Sequence, residues 1–539
     1  MSQPLTLSHI TYTYPAQSEP TLSDVSVTFS PSWTAILGDN GIGKSTLARI
    51  AIGLLTPDRG NVTPKPSSLV VAYCPQSIAE HPANLEDFAG DWSQLAVSLR
   101  QKLRLEEDWL YRYHSLSGGQ AKRVHIACAL VQQADIVVLD EPTNHCDAPT
   151  RQVIAEALQQ VSCTGLLISH DTELIDATAR ACAVFERVHQ EGRNVTVVNT
   201  YTGNYSAVRS QLDQKYASQE EALGEHQQRI RSLRASQQRS FEKVQRVESQ
   251  KTSGARKIDA RDHDARNAHN LAKATSLDAK TTQSYAQFHV KLQSLERDAS
   301  AIETAAKRYS GQLSYEQSVS TFSQILHLPE GVLPVDQAQN NPLQEHESAF
   351  ALQQISTLHC DANRWHLSAP EDQNAPDQAV LAIKLPNISV DPRDHIAISG
   401  ANGLGKSTIL RALYAANERS ATPVPALVLP QTVSADEVNA ALEQLRKLER
   451  QEQSQVLSNL AQLNANPDTV LAGNAISPGE ARKLLLCLGL LNSPQLLILD
   501  EPTNHLDISS AESLAHALHD FPGAIIVASH NSSFLEKCI

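Results

Sequence analysis

Asp140-Glu-Pro-Thr-Asn-His-Cys-Asp147 and Asp500-Glu-Pro-Thr-Asn-His-Leu-Asp507 are two versions of one octapeptide, set 360 residues apart. Each follows four apolar residues, Ile136-Val-Val-Leu139 in the first and Leu496-Leu-Ile-Leu499 in the second. A run that short and that apolar, ending in two acids, reads as a buried parallel strand that delivers both carboxylates at its end. Asp140 and Asp500 suit Mg²⁺, directly or through water, while Glu141 and Glu501 are placed to polarise the water that attacks a terminal phosphate.

Upstream of each octapeptide lies a phosphate loop that fits G-x-x-x-x-G-K-[ST] in full. The first runs Gly38-Asp-Asn40-Gly41-Ile-Gly43-Lys44-Ser45-Thr46 and the second Gly400-Ala-Asn402-Gly403-Leu-Gly405-Lys406-Ser407-Thr408. Apolar runs precede them (Thr34 to Leu37, His395 to Ile398) and helix-compatible residues follow (Leu47 to Ile52, Ile409 to Leu413), giving strand, loop, helix. The glycines let successive backbone N–H groups converge on phosphates at the positive end of the helix. Lys44 and Lys406 are expected to reach the β and γ phosphates of ATP, and Ser45 and Ser407 to hold Mg²⁺.

A second layer of spacing repeats as well. Ser117 lies 23 residues before Asp140 and Ser477 lies 23 before Asp500, while His170 and His530 each follow their aspartate by 30. Ser117 opens Ser117-Gly118-Gly119-Gln120 ahead of a helical stretch from Ala121 to Val131, and Ser477 opens Ser477-Pro478-Gly479-Glu480 ahead of another. Serine-glycine turns at helix starts offer N–H donors to a γ phosphate. His170 and His530 close apolar runs, where a neutral imidazole can sense that phosphate.

With these residues in place the chain resembles the ATP-binding cassette superfamily in both halves. The resemblance implies an α/β fold with two P-loop cassettes that sandwich two nucleotides head to tail within one chain, as a monomer. Site one pairs the Lys44 loop with the Ser477 turn, and site two pairs the Lys406 loop with the Ser117 turn. Gln76 in Tyr73-Cys-Pro-Gln76 and Gln431 in Leu429-Pro-Gln431 look like the family's glutamine-loop residues near Mg²⁺. Tyr14 resembles the aromatic that stacks on adenine.

Composition bounds the remaining possibilities. The 539 residues, 41% apolar, suffice for two or more cores. Eight cysteines form no C-x-x-C pair, which argues against a disulfide framework or a zinc ribbon. The N-terminus lacks a charged-then-apolar signal pattern, and the longest apolar run, near Leu484 to Leu491, is too short to span a bilayer. A cytoplasmic protein with no integral membrane segment is expected.

Between the cassettes, no proline occurs from Thr150 to Leu328. Leu223, Ile230, Leu233, Phe241, Val244 and Val247 recur near three- and four-residue intervals, and Tyr285, Phe288, Leu292, Leu295, Ala299 and Ile302 do so more regularly. Two long antiparallel helices zipped along these stripes are expected. The whole chain carries −14, yet Glu225 to Lys273 holds twelve Lys/Arg against six acids, a local balance of +6. A basic lever on an acidic body suits phosphate contacts, whereas a solvated coiled-coil face is the plainer reading. Phe241 alone among aromatics falls in this stretch, so base stacking is not indicated. The expected division is a first cassette over 1–205, a helical linker with a basic tip over 206–345, and a second cassette over 346–539.

Tandem cassettes without membrane domains, Thr503-Asn-His-Leu506 after the second catalytic acid, a charged helical linker and Tyr201-Thr-Gly-Asn-Tyr205 together resemble the ABC-F family. That resemblance implies an ATPase that binds the ribosome near the tRNA exit site. Its hairpin points toward ribosomal RNA and tRNA, and it acts in translation or in antibiotic resistance by ribosome protection. The alternative is an ATP-hydrolysing subunit that energises a separate membrane transporter. Several departures make unequal sites an expectation: Cys146 for the usual leucine, Ile476 and Pro478 around the second serine, and Asn531 after His530. No convincing adenine-stacking aromatic precedes Gly400; Trp365 is a distant alternative.

Overall fold

A computed structural model describes residues 4–15, 20–144, 146–190, 193–254, 291, 292, 294, 304, 305, 313, 320–335, 355–369, 382–465, 467–473 and 476–539. They fall into two units. One comprises Met1–Phe185, Val198–Ser206 and Arg308–Ile539 and holds both cassettes; the other comprises Glu186–Val197 and Ala207–Lys307.

In the first cassette, β1 (Leu5–Tyr12), β2 (Leu22–Phe29), β3 (Trp33–Leu37), α1 (Lys44–Ala51), β4 (Arg59–Thr63) and β5 (Val71–Cys74) come before a helical segment. That segment carries α2 (Leu85–Gly90) and α3 (Gln94–Lys102). Then follow α4 (Gly118–Leu130), β6 (Ile136–Asp140), α5 (Ala148–Leu158), β7 (Thr164–Ile168), α6 (Thr172–Thr178), β8 (Ala181–Gln190) and β9 (Arg193–Thr202). The catalytic sheet runs β8-β3-β7-β6-β5, all parallel. A separate antiparallel sheet, β2-β1-β4, lies beside it. Strands β3, β6 and β7 are buried at every position, as parallel strands covered on both faces require. Leu47 and Ile50 of α1 pack with Ile36, Ile136, Val138 and Leu166 of the sheet and with Leu7 and Phe29 of the antiparallel layer, which fixes the phosphate loop between them.

The close approach of β3 and β7 depends on Gly165, which pairs with Trp33. A methyl group at Gly165 would overlap the Trp33 ring, whose Nε1 is held by the Leu158 carbonyl at 2.9 Å. Gly165→Ala is therefore expected to cost about 1–3 kcal/mol of stability by overpacking. A thermal unfolding midpoint equal to that of the parent chain would contradict this.

The first arm of the expected linker is present as α7 (Tyr205–Gly254), 50 residues of helix. At 1.5 Å per residue it is about 75 Å long. The second apolar stripe, Tyr285 to Ile302, and the tip beyond Gly254 lie outside the described residues except for Lys291, Leu292 and Ser294. The described residues 320–335 hold no helix. A short strand β10 (Thr304–Ala305) pairs with β8, and β11 (Leu326–Leu328) and β12 (Gly331–Pro334) belong to the second cassette's sheets. Part of the segment that the expected division gives to the linker thus pairs with strands of the second cassette. Pro329, Gly331 and Pro334 break helix, and the backbone of this segment is taken up by pairing with strands 48 to 64 residues downstream.

The second cassette contains β13 (Ile355–Asp361), β14 (Arg364–Ser368), β15 (Ala382–Leu385), β16 (Ile388–Val390), β17 (His395–Ser399), β18 (Ala426–Leu429), β19 (Leu496–Asp500) and β20 (Ala524–Ala528). Its catalytic strands run β14-β17-β20-β19-β18, all parallel. This is the order of the first cassette with β14 standing where β8 stands. The substitution sets the place of Trp365. It pairs with Ile398 on β14 and is 3% exposed among Leu358, Ile396 and Leu410, so it is a core residue and not a base-stacking one.

Candidate functional site

Both phosphate loops close on their lysines in the same way. Gly43 and Gly405 cap the following helices with φ of 107° and 100°, in the left-handed region. A side chain there would also meet Leu22 at 2.7 Å and Ile383 at 2.5 Å. Lys44 Nζ donates to the carbonyls of Gly38 (2.6 Å) and Asp39 (3.1 Å), and Lys406 Nζ to those of Gly400 (2.7 Å) and Ala401 (3.4 Å). Burial lowers the Lys44 pKa from the ordinary lysine value, against the pull of Glu141, Asp507, Asp39 and Asp140.

The octapeptides arrive as their runs imply. Asp140 and Asp500 end β6 and β19, buried, and burial raises both acids. Ser45 is hydrogen-bonded to Asp140, and Ser407 to Asp500. Each site therefore joins a hydroxyl to a carboxylate beside the phosphate loop, an all-oxygen donor set that fits Mg²⁺. Glu141 and Glu501 follow in the left-handed region (φ 49° and 45°), pinned by their N–H groups to the carbonyls of Ile168 and Ala528 at 2.8 Å. Burial pushes Glu141 up to about 8 and Glu501 up to about 7. A carboxylate so little solvated is a stronger proton acceptor than one in water.

The histidines meet these acids differently. His170 Nε2 lies 3.3 Å from Glu141 Oε1 and 3.1 Å from Asn40 Oδ1. His530 instead turns Nδ1 to Glu501 Oε2 at 2.8 Å, and its N–H donates to the same oxygen at 3.3 Å. Burial and the neighbouring Lys44 hold His170 down to about 3, so its imidazole is neutral at physiological pH.

Ser117 and Ser477 are helix caps, each closed by a reciprocal capping box with Gln120 or Glu480. The box consumes the N–H groups of its first and fourth residues, so Gly118 and Gly119 carry the donors left over in the first turn. In the second turn Pro478 has no N–H, which leaves that of Gly479. The two turns thus offer different numbers of donors.

The cassettes meet across these elements. Asn40 N–H donates to Asp507 Oδ2 (3.2 Å) and Asn40 Nδ2 to the His505 carbonyl (2.7 Å). A Cβ on Gly479 would stand 2.6 Å from that same carbonyl oxygen, so the Ser477 turn adjoins the first phosphate loop. On the other side Asn402 N–H donates to Asp147 Oδ2 at 3.4 Å.

Gln76 and Gln431 lie exposed just past β5 and β18, next to the catalytic strands. Tyr14 is tied by its hydroxyl to Thr46 Oγ1 at 3.1 Å and stacks edge-on against Tyr12 at 5.0 Å, which sets its ring beside the phosphate loop. Two residues escaped the sequence reading. Lys122 Nζ donates to the carbonyls of Pro75 (2.8 Å), Gln76 (3.2 Å) and Asp140 (3.4 Å). Arg482 donates to those of Pro430, Asp500 and Glu501, each at 2.8 Å. Both stand five residues after the capping serine and are nearly inaccessible, at 1% and 3% exposure. They brace the glutamine loop against the catalytic strand, and their shared offset was the available signal.

Comparison with known proteins agrees in both halves. The pattern of the ABC transporter family matches residues 22–144 and 383–504. "Ribosome protection protein VmlR" of Bacillus subtilis is 26% identical over 513 residues, covering 93% of this chain and 79% of that one. A "Putative ABC transporter ATP-binding protein" of Nitratidesulfovibrio vulgaris is 33% identical over 206 residues, 34% of this chain and 74% of that one. Among solved structures, "RNase-L Inhibitor" superposes with a TM-score of 0.55 at 16% identity, covering 98% of this chain and 86% of its own, which is a likeness of fold. No helix among the described residues is long and apolar enough to cross a membrane.

Proposed function

Because this chain belongs to the ABC-F family of ATP-binding cassette proteins, we propose that it is an ATPase that binds ATP at two composite sites and acts on the ribosome, in translation or in ribosome protection. The observation that carries the ATPase is the pair of buried glutamates, each set by a left-handed backbone beside a phosphate-loop lysine. The ribosome enters through the full-length likeness to a ribosome protection protein and through the charge of the linker.

Ser45 with Asp140, and Ser407 with Asp500, would hold Mg²⁺, which when bound would neutralise charge developing on the phosphate oxygens. The chain's own groups do the rest. Lys44 and Lys406 exchange their loop carbonyls for phosphate oxygens, and the turn of the opposite cassette supplies N–H donors. Glu141 and Glu501 accept the proton of the attacking water while His170 and His530 keep each carboxylate oriented. Tyr14 supplies the base-stacking ring at site one. The basic residues from Arg229 to Lys273 make the phosphate contacts on ribosomal RNA or tRNA.

The test is co-sedimentation with ribosomes of full chain carrying Glu141→Gln and Glu501→Gln, in ATP and in ADP. Enrichment in ATP over ADP is expected, and equal pelleting in both nucleotides would overturn the ribosome reading. Deleting 225–275 separately tests the linker: retained binding removes it from the interface.

A further inference from the structure

Site one is wired into the second cassette through a buried lysine, while the first cassette's Arg151 donates to the His530 carbonyl of site two at 3.5 Å. Lys483, six residues after the capping Ser477, is 6% exposed, and its Nζ donates to Ser510 Oγ at 2.7 Å. Ser510 N–H donates to Asp507 Oδ1 at 2.7 Å, and the Ser509 hydroxyl lies 2.9 Å from that oxygen and 3.1 Å from Asp39 Oδ1. Asp507 itself is 3% exposed. Burial pushes its carboxyl up, but Lys483 and the Ser510 bonds outweigh that and hold it well below the usual carboxylate range.

The ionised Asp507 then takes the Asn40 N–H across the cassette boundary. Asn40 cannot flip, because its Nδ2 is committed to the His505 carbonyl, so its Oδ1 faces His170 Nε2. That nitrogen lies between Asn40 Oδ1 and Glu141 Oε1, with the Lys44 ammonium 3.4 Å away, so Asn40 helps set where the ring stands beside the carboxylate. An unbroken chain of contacts therefore leads from the second cassette's capping helix to the first cassette's catalytic glutamate.

The equivalent position in the first cassette is Arg123. Its guanidinium donates to the carbonyls of Leu103 (3.2 Å) and Arg104 (3.3 Å) and lies over the Trp109 ring at 4.6 Å, directed into the helical segment of its own cassette. At site two, His530 faces Glu501 through the other ring nitrogen.

We propose that Lys483 is a positioning residue for ATP hydrolysis at site one: it fixes Asp507 against the Asn40 amide, and Asn40 in turn fixes His170 beside Glu141. This rests on the ATPase reading, and a parent chain without ATP turnover would sink that reading rather than this one.

The experiment places Lys483→Met and Lys483→Arg in Glu501→Gln chain, where site one turns over, and in Glu141→Gln chain, where site two does. Lys483→Met is expected to lower kcat by about tenfold in the first background, a size ordinary for coupling through packed networks. KM for ATP should stay within about twofold, since Lys483 contacts no phosphate. Lys483→Arg should restore most of the rate, and the second background should change by less than about twofold. Equal slowing in both backgrounds, or a Met defect that Arg leaves untouched at an unchanged unfolding midpoint, would overturn the proposal. If a glutamine background is itself silent, single turnover of preloaded ATP by otherwise unsubstituted chain reads the same thing. One of two phases should slow, and uniform slowing counts against Lys483.

Discussion

Glutamine at both 141 and 501 is expected to slow ATP hydrolysis by about 10²–10⁴-fold, the usual worth of a general base, while ATP affinity changes little. Phosphate release and ATP retention on the same preparation give the two readouts. The side chains keep their shape and their backbone pins at the Ile168 and Ala528 carbonyls, so binding geometry persists while the proton acceptor is gone. Turnover at the parent rate would remove both residues from the chemistry.

The same burial gives the reaction a pH signature. A general base works ionised, and burial raises Glu141 to about 8 and Glu501 to about 7, so the rate of the parent chain rises with pH from about 6 to 9. Stability moves the other way. A carboxyl whose folded pKa exceeds its unfolded value near 4.5 binds more protons when folded, so it contributes stability below that value that is lost as pH rises toward 8. The glutamine chain escapes that loss and should unfold at a higher temperature than the parent at pH 8. A parent rate that is flat or falling over this range would contradict the base assignment.

Methionine at 44 or 406 is expected to weaken ATP at its own site by about 2–5 kcal/mol, the usual cost of truncating one partner of a buried charge pair. That is roughly 30- to several-thousand-fold in Kd. Each ammonium lies within its loop, bonded to two carbonyls of the segment that would wrap the phosphates. Removing Lys44 also strips Glu141 of its largest charge partner, and removing Lys406 does the same to Glu501, whose Oε1 is 3.7 Å away. Calorimetric titration with ATP, beside a thermal unfolding control, measures this. A Kd within threefold of the parent at an unchanged midpoint would mean that the loops do not cradle phosphate.

What the sequence by itself determined is local. A strand of four apolar residues ending in Asp-Glu, a glycine-rich turn ending in Lys-Ser, and a serine that caps a helix are each specified by neighbouring residues through backbone conformation and burial. Repetition at equal spacing shows that the chain builds each of them twice. The first arm of the linker was equally legible, because a stretch without proline and with a helical apolar period has few other folds available.

Long-range pairing lay beyond that reading. The strands at Leu326–Leu328 and Gly331–Pro334 are short and weakly patterned, and their membership of the second cassette follows from hydrogen bonds to Ile388–Val390 and Ala382–Leu385. Trp365, a distant alternative for base stacking in the sequence, is a core residue, because β14 inserts beside the phosphate-loop strand. The offset of Lys122 and Arg482 from the capping serines marked them as a pair, but the partners of these two and of Lys483 had no local signature. A lysine or arginine on a helix looks alike whether it meets water or buried carbonyls, and only the packed tertiary structure, which removes the water and supplies the partners, decides which.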